Sequence, residues 1–188
     1  MSAKNLQAGD LIAGRFVIDG PGVVGGMATV HRAIDRETGV LVAVKILHPP
    51  PDMRVGDVHQ EARLLARLRH PCIVRYVAYG WTEEGAPYLV TEWIEGRSLD
   101  EVLAQGALGI DDAIRLALRI AQGLSALHAA GHVHGDLTPS NIFLPEGGIE
   151  DAKLLGFYFT RDFHDIEADP LIFGTPAYMA PELSLIHI

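Results

Sequence analysis

One long helical stretch, Ile110 to Ala130, separates two differently patterned halves of this chain. Asp111 and Asp112 suit the positive end of its macrodipole, and Gly131 suits its stop. The first half carries only short β-rich runs. Phe16–Ile18, Thr29–Ile34, Val40–Leu47, Ile73–Tyr79 and Tyr88–Glu92 are set apart by turn residues such as Gly39 and by Asp35–Gly39 as a hairpin loop. The triple proline Pro49–Pro51 bars regular structure, and a helix is predicted from about Val55 to Leu68, with Ala62, Leu65, Ala66 and Leu68 near helical spacing. Strands followed by helices predict an α+β chain. A strand-rich first lobe, a five-stranded antiparallel sheet with one helix, and a helical second lobe are expected, with a cleft between them.

The 188 residues fit one domain or two small lobes, and 48% hydrophobic with 21% charged residues is a globular balance. A net charge of −9 excludes nucleic acid as the main partner, because a phosphate backbone calls for a basic face. No apolar run reaches membrane-spanning length, and Met1–Asn5 lacks the apolar stretch of a signal peptide. Cys72 is the one cysteine, which rules out an internal disulfide and points to a reducing cytoplasm. Lysine occurs only at positions 4, 45 and 153, so a lysine inside an apolar strand stands out.

Four stretches carry possible phosphoryl-transfer chemistry. Gly25-Gly26-Met27-Ala28-Thr29-Val30 joins two strands through a turn whose N–H groups can approach phosphates closely, though a few glycines alone read as a plain hairpin. Val42-Ala43-Val44-Lys45 sets a cation in a strand. Taken alone it reads as an edge lysine facing water; the alternative is a phosphate grip held by a helix carboxylate such as Glu61. His134-Gly135-Asp136-Leu137-Thr138-Pro139-Ser140-Asn141 puts an Asp and an Asn five apart on one loop, spacing that suits orienting a hydroxyl nucleophile and ligating a metal. Gly174-Thr175-Pro176-Ala177-Tyr178-Met179-Ala180-Pro181-Glu182 is a Pro-punctuated loop with aromatic and Met anchors.

In this order, from about Phe16 to Glu182, the stretches resemble the signature set of protein kinases, most closely the bacterial serine/threonine type. The resemblance implies ATP and Mg²⁺ as cofactors and protein hydroxyls as acceptors. It implies that Lys45 pairs with Glu61 and holds the phosphates under Gly25 and Gly26. Val30, Ala43 and Phe143 would sandwich adenine, Thr91 would back the pocket, and the backbones of Glu92 and Ile94 would bond the adenine edge. Asp136 would be the catalytic base and Asn141 a metal ligand, while His134, Phe157, Leu65 and Tyr76 match an apolar spine. It also implies boundaries: an N-terminal extension at 1–15, an N-lobe at 16–92, a hinge at 93–97 and a partial C-lobe at 98–182.

Departures from the family pattern are specific. The three loop-glycine positions read Val23, Gly25 and Ala28. Gly156-Phe157-Tyr158 stands where the family has Asp-Phe-Gly, so the carboxylate that binds Mg²⁺ is missing, a loss worth roughly a thousandfold in rate. Thr138 replaces the lysine that steadies the transferred phosphate, and Gly135 replaces an arginine that receives a phosphate on the activation loop. Between Tyr158 and Gly174 the one hydroxyl residue is Thr160, so control by loop phosphorylation is not expected. These changes resemble a pseudokinase, a regulatory or scaffolding module. A more distant alternative is a small-molecule phosphotransferase of the aminoglycoside-kinase type, whose loop also reads His-Gly-Asp; the segment Gly174–Glu182 argues against it. Leu183–Ile188 matches one reading frame of a sequencing adapter and is expected to be a non-native tail, which resequencing the locus tests.

Overall fold

The computed structural model describes residues 6–25, 28–48, 62–157, 160–162 and 174–181. They fall into two compact units: the described parts of Met1–Arg67 with Arg75–Trp93, and of Leu68–Val74 with Ile94–Ile188.

The first unit is an antiparallel sheet of strands β1 (Leu11–Ile12), β2 (Phe16–Ile18), β3 (Val23–Val24), β4 (Ala28–Asp35), β5 (Leu41–Leu47), β6 (Tyr76–Trp81) and β7 (Pro87–Glu92), in the order β1-β2-β4-β5-β7-β6 with β3 on β4. The five expected strands are β2, β4, β5, β6 and β7; β1 and β3 add two residues each at the margins. Strand periodicity divides the sheet cleanly. Val42, Val44 and Ile46 point to a core shared with Phe16, Ile18, Ala33, Tyr88 and Val90, while Leu41, Ala43 and Lys45 point to the other face and stay half-buried. Each of those large aliphatic and aromatic core side chains contributes about 1.5–3 kcal/mol by leaving water. Asp35 closes the β4–β5 turn: its carboxylate takes Arg15 Nε and Nη2, each at 2.8 Å, the Thr38 hydroxyl and the Glu37 N–H. Those donors, Arg15 first, hold it well below the usual carboxylate range despite burial. A helix, α1, follows, its described part being 62–67, with Ala62, Leu64 and Leu65 buried and Ala66 exposed.

Strand β6 starts at Tyr76 rather than at Ile73. Residues 72–74 belong to the second unit because their backbone bonds go there: Leu154 N–H donates to Cys72 O (2.8 Å) and Val74 N–H to Leu154 O (3.0 Å). That pairing joins distant segments, so local alternation could not reveal it.

The second unit holds strands β8 (Gly96–Ser98), β9 (His132–Val133), β10 (Ile142–Pro145), β11 (Lys153–Leu154) and β12 (Arg161–Asp162), with helices α2 (Leu99–Leu103) and α3 (Ile110–Ala129). Strand β10 pairs antiparallel with both β11 and β8, and β9 with β12. Helix α3 lies close on Leu154 and Cys72 because Gly123 interrupts its side chains there. A Cβ at Gly123 would meet Leu154 Cδ1 at 2.8 Å and Cys72 Cβ at 3.2 Å. Glycine in a helix costs about 1 kcal/mol, which this close approach offsets. Arg119 of α3 donates to Ala152 O (3.1 Å) and Pro71 O (3.0 Å), tying the helix to the segments just before β11 and Cys72. Among the described residues no helix is long and apolar enough to cross a membrane.

Candidate functional site

The sequence-predicted residues separate into two groups, one in each unit. In the first unit the grouping follows from register. Val30 lies opposite Lys45 across β4 and β5, Lys45 opposite Leu89 and Ala43 opposite Thr91 across β5 and β7. Cross-strand partners share a face, so Val30, Ala43, Lys45 and Thr91 occupy one side of the sheet, away from the core of Val42, Val44 and Val90. The Gly25 N–H donates to Ala28 O at 2.8 Å and closes the turn before β4; Gly26 lies outside the described residues. Glu92 ends β7. Its N–H donates to Arg75 O and its carboxylate accepts the Arg75 N–H, both at 2.9 Å. Thr91 Oγ1 donates to the Glu92 carbonyl at 3.3 Å. Glu61, expected to partner Lys45, lies outside the described residues.

In the second unit the loop from His134 to Asn141 is held by side chains. The Asp136 carboxylate accepts three hydrogen bonds from two residues: Asn141 Nδ2 donates to Oδ2 at 3.0 Å, while Thr175 donates its N–H at 3.0 Å and its hydroxyl at 2.7 Å to Oδ1. Asn141 Nδ2 also donates to the Asp136 carbonyl at 2.9 Å. Thr175 is a residue that motif reading quoted without a role. Its contact spans 39 positions, and the only local signal is the glycine before it. Gly174 sits at φ 134°, and a Cβ there would press on Gly135 O at 2.8 Å, so the small residue lets its loop reach the carboxylate.

His134 anchors the start of the loop. A carbonyl only accepts, so His134 Nε2 carries hydrogen and donates to Leu155 O at 2.9 Å; Nδ1 then accepts the Asp136 N–H at 3.4 Å. Burial pushes its imidazole below the ordinary value, against a smaller opposing pull from Leu155 O and Asp136. Its ring packs on Phe157 with centroids 4.9 Å apart. Of the other matched spine residues, Leu65 is buried and Tyr76 half-buried in the first unit. Gly135 adopts φ 80°, a left-handed backbone that suits glycine far better than the arginine of the family pattern. Thr138 is buried and its hydroxyl pairs with Ser140 Oγ at 2.9 Å, so it braces the loop where a lysine would reach outward. Phe143 on β10 is half-buried, on the face opposite to buried Ile142 and Leu144, and Ile94 is half-buried at the start of the second unit.

Position 156, where the resemblance expects a metal-binding carboxylate, carries no side chain. Gly156 offers no ligand, and a Cβ at that position would collide with Asn141 Oδ1 and Cγ and lie 2.8 Å from Nδ2. The Asn141 amide therefore fills the place a side chain at 156 would take. Among the described residues no three His, Cys, Asp or Glu side chains gather to hold a cation.

Residues 23–185 match the family described as protein kinase domain. The chain is 35% identical over 181 residues to the serine/threonine-protein kinase pkn2 of Myxococcus xanthus, covering 92% of this chain and 22% of that protein. It is 32% identical over 190 residues to the serine/threonine-protein kinase PknA of Mycobacterium tuberculosis, covering 96% of this chain and 44% of that one. The chain thus spans less than half the length of either relative. Among solved structures, Rad53 in complex with AMP-PNP superposes with a TM-score of 0.70 at 32% identity, covering 90% of this chain and 42% of that one. The PF14_0431 kinase domain superposes at 0.81 with 20% identity, covering 95% and 60%, a likeness of fold. With the match running over most of its length, this chain belongs to the protein kinase domain family.

Proposed function

We propose that this chain is the ATP-binding part of a serine/threonine protein kinase in which phosphoryl transfer to protein hydroxyls is impaired. The row Val30, Ala43, Lys45 and Thr91 on one sheet face supports nucleotide binding. By the family pattern, Val30 and Ala43 cover adenine together with Phe143, Thr91 backs it, and the backbones of Glu92 and Ile94 bond its edge. Lys45, with Glu61 as its partner, holds the phosphates beneath Gly25 and Gly26. Asp136 orients the acceptor hydroxyl and takes its proton. Its carboxylate, fixed by Asn141 and Thr175, needs little rearrangement to do so.

The observation that carries the impairment is Gly156, which supplies no cation ligand and leaves its space to Asn141. Without Mg²⁺ charge neutralisation the transfer step loses its main electrostatic support. A second reading, favoured by the same residue, is a pseudokinase that binds nucleotide and acts as a regulatory or scaffolding module. The aminoglycoside-kinase alternative is disfavoured by the docking of Gly174–Thr175 onto Asp136.

Two measurements test the proposal. ATP should raise the melting temperature in proportion to ln(1 + [L]/Kd), and Lys45→Met should abolish that rise; no rise in the unaltered chain removes the nucleotide reading. Radiolabelled phosphate transfer to a generic protein substrate should be weak or absent. Strong transfer that Asp136→Asn eliminates removes both the impairment and the pseudokinase.

A further inference from the structure

We propose that a cavity in the second unit is a docking site for a short segment of another protein, one in which arginine or lysine stands among apolar side chains.

The cavity measures about 520 Å³ and lies between β8, α2 and the turn that follows β10. Its apolar wall is made by Val102, Leu108, Leu144, Pro145 and Ile149; Leu144 is buried and the other four are half-buried. Apolar side chains left partly in water around one hollow favour the entry of a partner's apolar groups. The mouth is charged. Glu95, Arg97 and Glu146 line it and are exposed. Glu146 N–H donates to Glu95 O at 3.1 Å, which sets the two glutamates side by side. Neighbouring carboxylates repel each other, and a cation placed between them relieves that repulsion.

The walls are fixed before anything binds. Gly96 lets β8 run close on β10, since a Cβ there would collide with Leu144 O and lie 2.8 Å from Pro145 Cα. The Glu101 carboxylate of α2 accepts the Ser98 N–H at 2.9 Å. Arg97 Nη1 donates to Gln105 Oε1 at 2.8 Å, tying β8 to the segment after α2 as well. Such a site spares its occupant most of the ordering cost on the protein side.

Charge and shape select the occupant. The paired glutamates and the net charge of −9 favour a cation, and disfavour a phosphate group or an acidic membrane surface. The exposed rim leaves the cavity open to solvent, whereas small molecules are mostly enclosed by their sites. A peptide crosses such an opening with its apolar side chains against the wall and its basic side chain between the glutamates.

The test titrates the isotope-labelled chain with three peptide pools of equal length and randomised order. One contains leucine with arginine and lysine, one leucine with glutamate, and one serine with arginine and lysine. The first pool should shift the amide signals of Gly96, Val102, Leu108 and Gly148, and the other two should need at least about tenfold higher concentrations. Combining Glu95→Lys with Glu146→Lys should weaken the first pool about tenfold or more, whereas Glu83→Lys, an equally exposed site in the first unit, should leave it unchanged. Val102→Phe fills the cavity with its charges intact and should weaken binding too; it decides alone if the double variant does not fold. Absence of shifts at these amides, an equal response to the glutamate pool, or undiminished binding by the variants overturns the proposal. Two other occupants would also overturn it. Phenethylamine acting at concentrations as low as the peptides would mark a small-amine site, and the same shifts on raising the protein concentration alone would mark a contact between two copies of this chain. No ATP is present, so failure of the nucleotide reading leaves these outcomes unaffected.

Discussion

The sheet face of the first unit and the loop of the second assemble candidate functional residues by opposite means. Val30, Ala43, Lys45 and Thr91 share a face because strands alternate and register pairs them; no side-chain bond is needed to bring them together. Asp136, Asn141 and Thr175 meet through side-chain hydrogen bonds between segments 39 residues apart, over glycines in left-handed backbone at 135, 156 and 174. The side-chain placement on the sheet face depends on the strand register and on the core face behind it. The loop has no such backing, and a single substitution alters both its shape and its chemistry.

The sharpest way to break the comparison is to move one residue along β5. Val44 neighbours Lys45 but points into the core, where it is fully buried. Val44→Asp places a carboxylate there without a partner and should cost at least about 3 kcal/mol, seen as loss of the cooperative urea transition. A mild effect would mean that the two faces are not divided as the register requires. In the loop, Asp136→Ala removes the carboxylate that accepts the Thr175 N–H, the Thr175 hydroxyl and one of the two Asn141 amide protons, while the backbone carbonyl at 136 still accepts the other. It should cost about 1–3 kcal/mol in urea unfolding and remove any residual transfer. Asp136→Asn keeps an acceptor oxygen and should recover part of the stability but none of the transfer. Next in size is Gly135→Ala: the left-handed backbone there penalises a Cβ by about 1–2 kcal/mol. No measurable change on that substitution would show that the loop backbone adapts freely.

The same contrast explains how much was legible in the sequence. The alternation of Val42, Val44 and Ile46 with Ala43 and Lys45 announces the two faces of β5, because the period-two rule is local, but not its place: Lys45 alone reads as an edge lysine facing water, whereas β5 lies inside the sheet between β4 and β7 and Lys45 is half-buried. The Ile110–Ala129 helix is equally plain from its acidic first turn and terminal glycine. Spacing alone put Asp136 and Asn141 on one loop, and the family resemblance supplied their roles. What stayed hidden depends on contacts between distant segments. The Thr175 grip on Asp136, the pairing of Cys72 and Val74 with Leu154 that delays β6, and the bracing of Thr138 by Ser140 leave no periodic trace. Gly156 was readable as a missing ligand, but only coordinates reveal that Asn141 occupies the vacated space.

The smallest expected effect appears on acidification and again divides the two units. His31 in β4 and His134 in the loop are both buried, and burial, the largest cause in each case, lowers their imidazole values. A group whose folded value lies below its unfolded value of about 6.5 takes up protons on unfolding. Its contribution to stability is complete above that value and is lost as pH falls toward the folded one. Urea midpoints should therefore be flat from about pH 8 to about pH 7 and decline below about pH 6.5. The two histidines differ in what protonation breaks. His134 Nδ1 accepts the Asp136 N–H, and a proton there removes that bond and disturbs the loop. His31 Nδ1 is buried without a hydrogen-bond partner, so a proton there breaks no bond and gains none. His31→Leu should shallow the acid decline while leaving the residual slope of His134. His134→Gln, which keeps an amide donor for Leu155 O, should shallow it as well but should also loosen Asp136, read as faster exchange of the Thr175 amide. If both variants change only the slope and neither changes that exchange, His134 is a passive core residue like His31, and the loop is less dependent on its side chains than its geometry indicates.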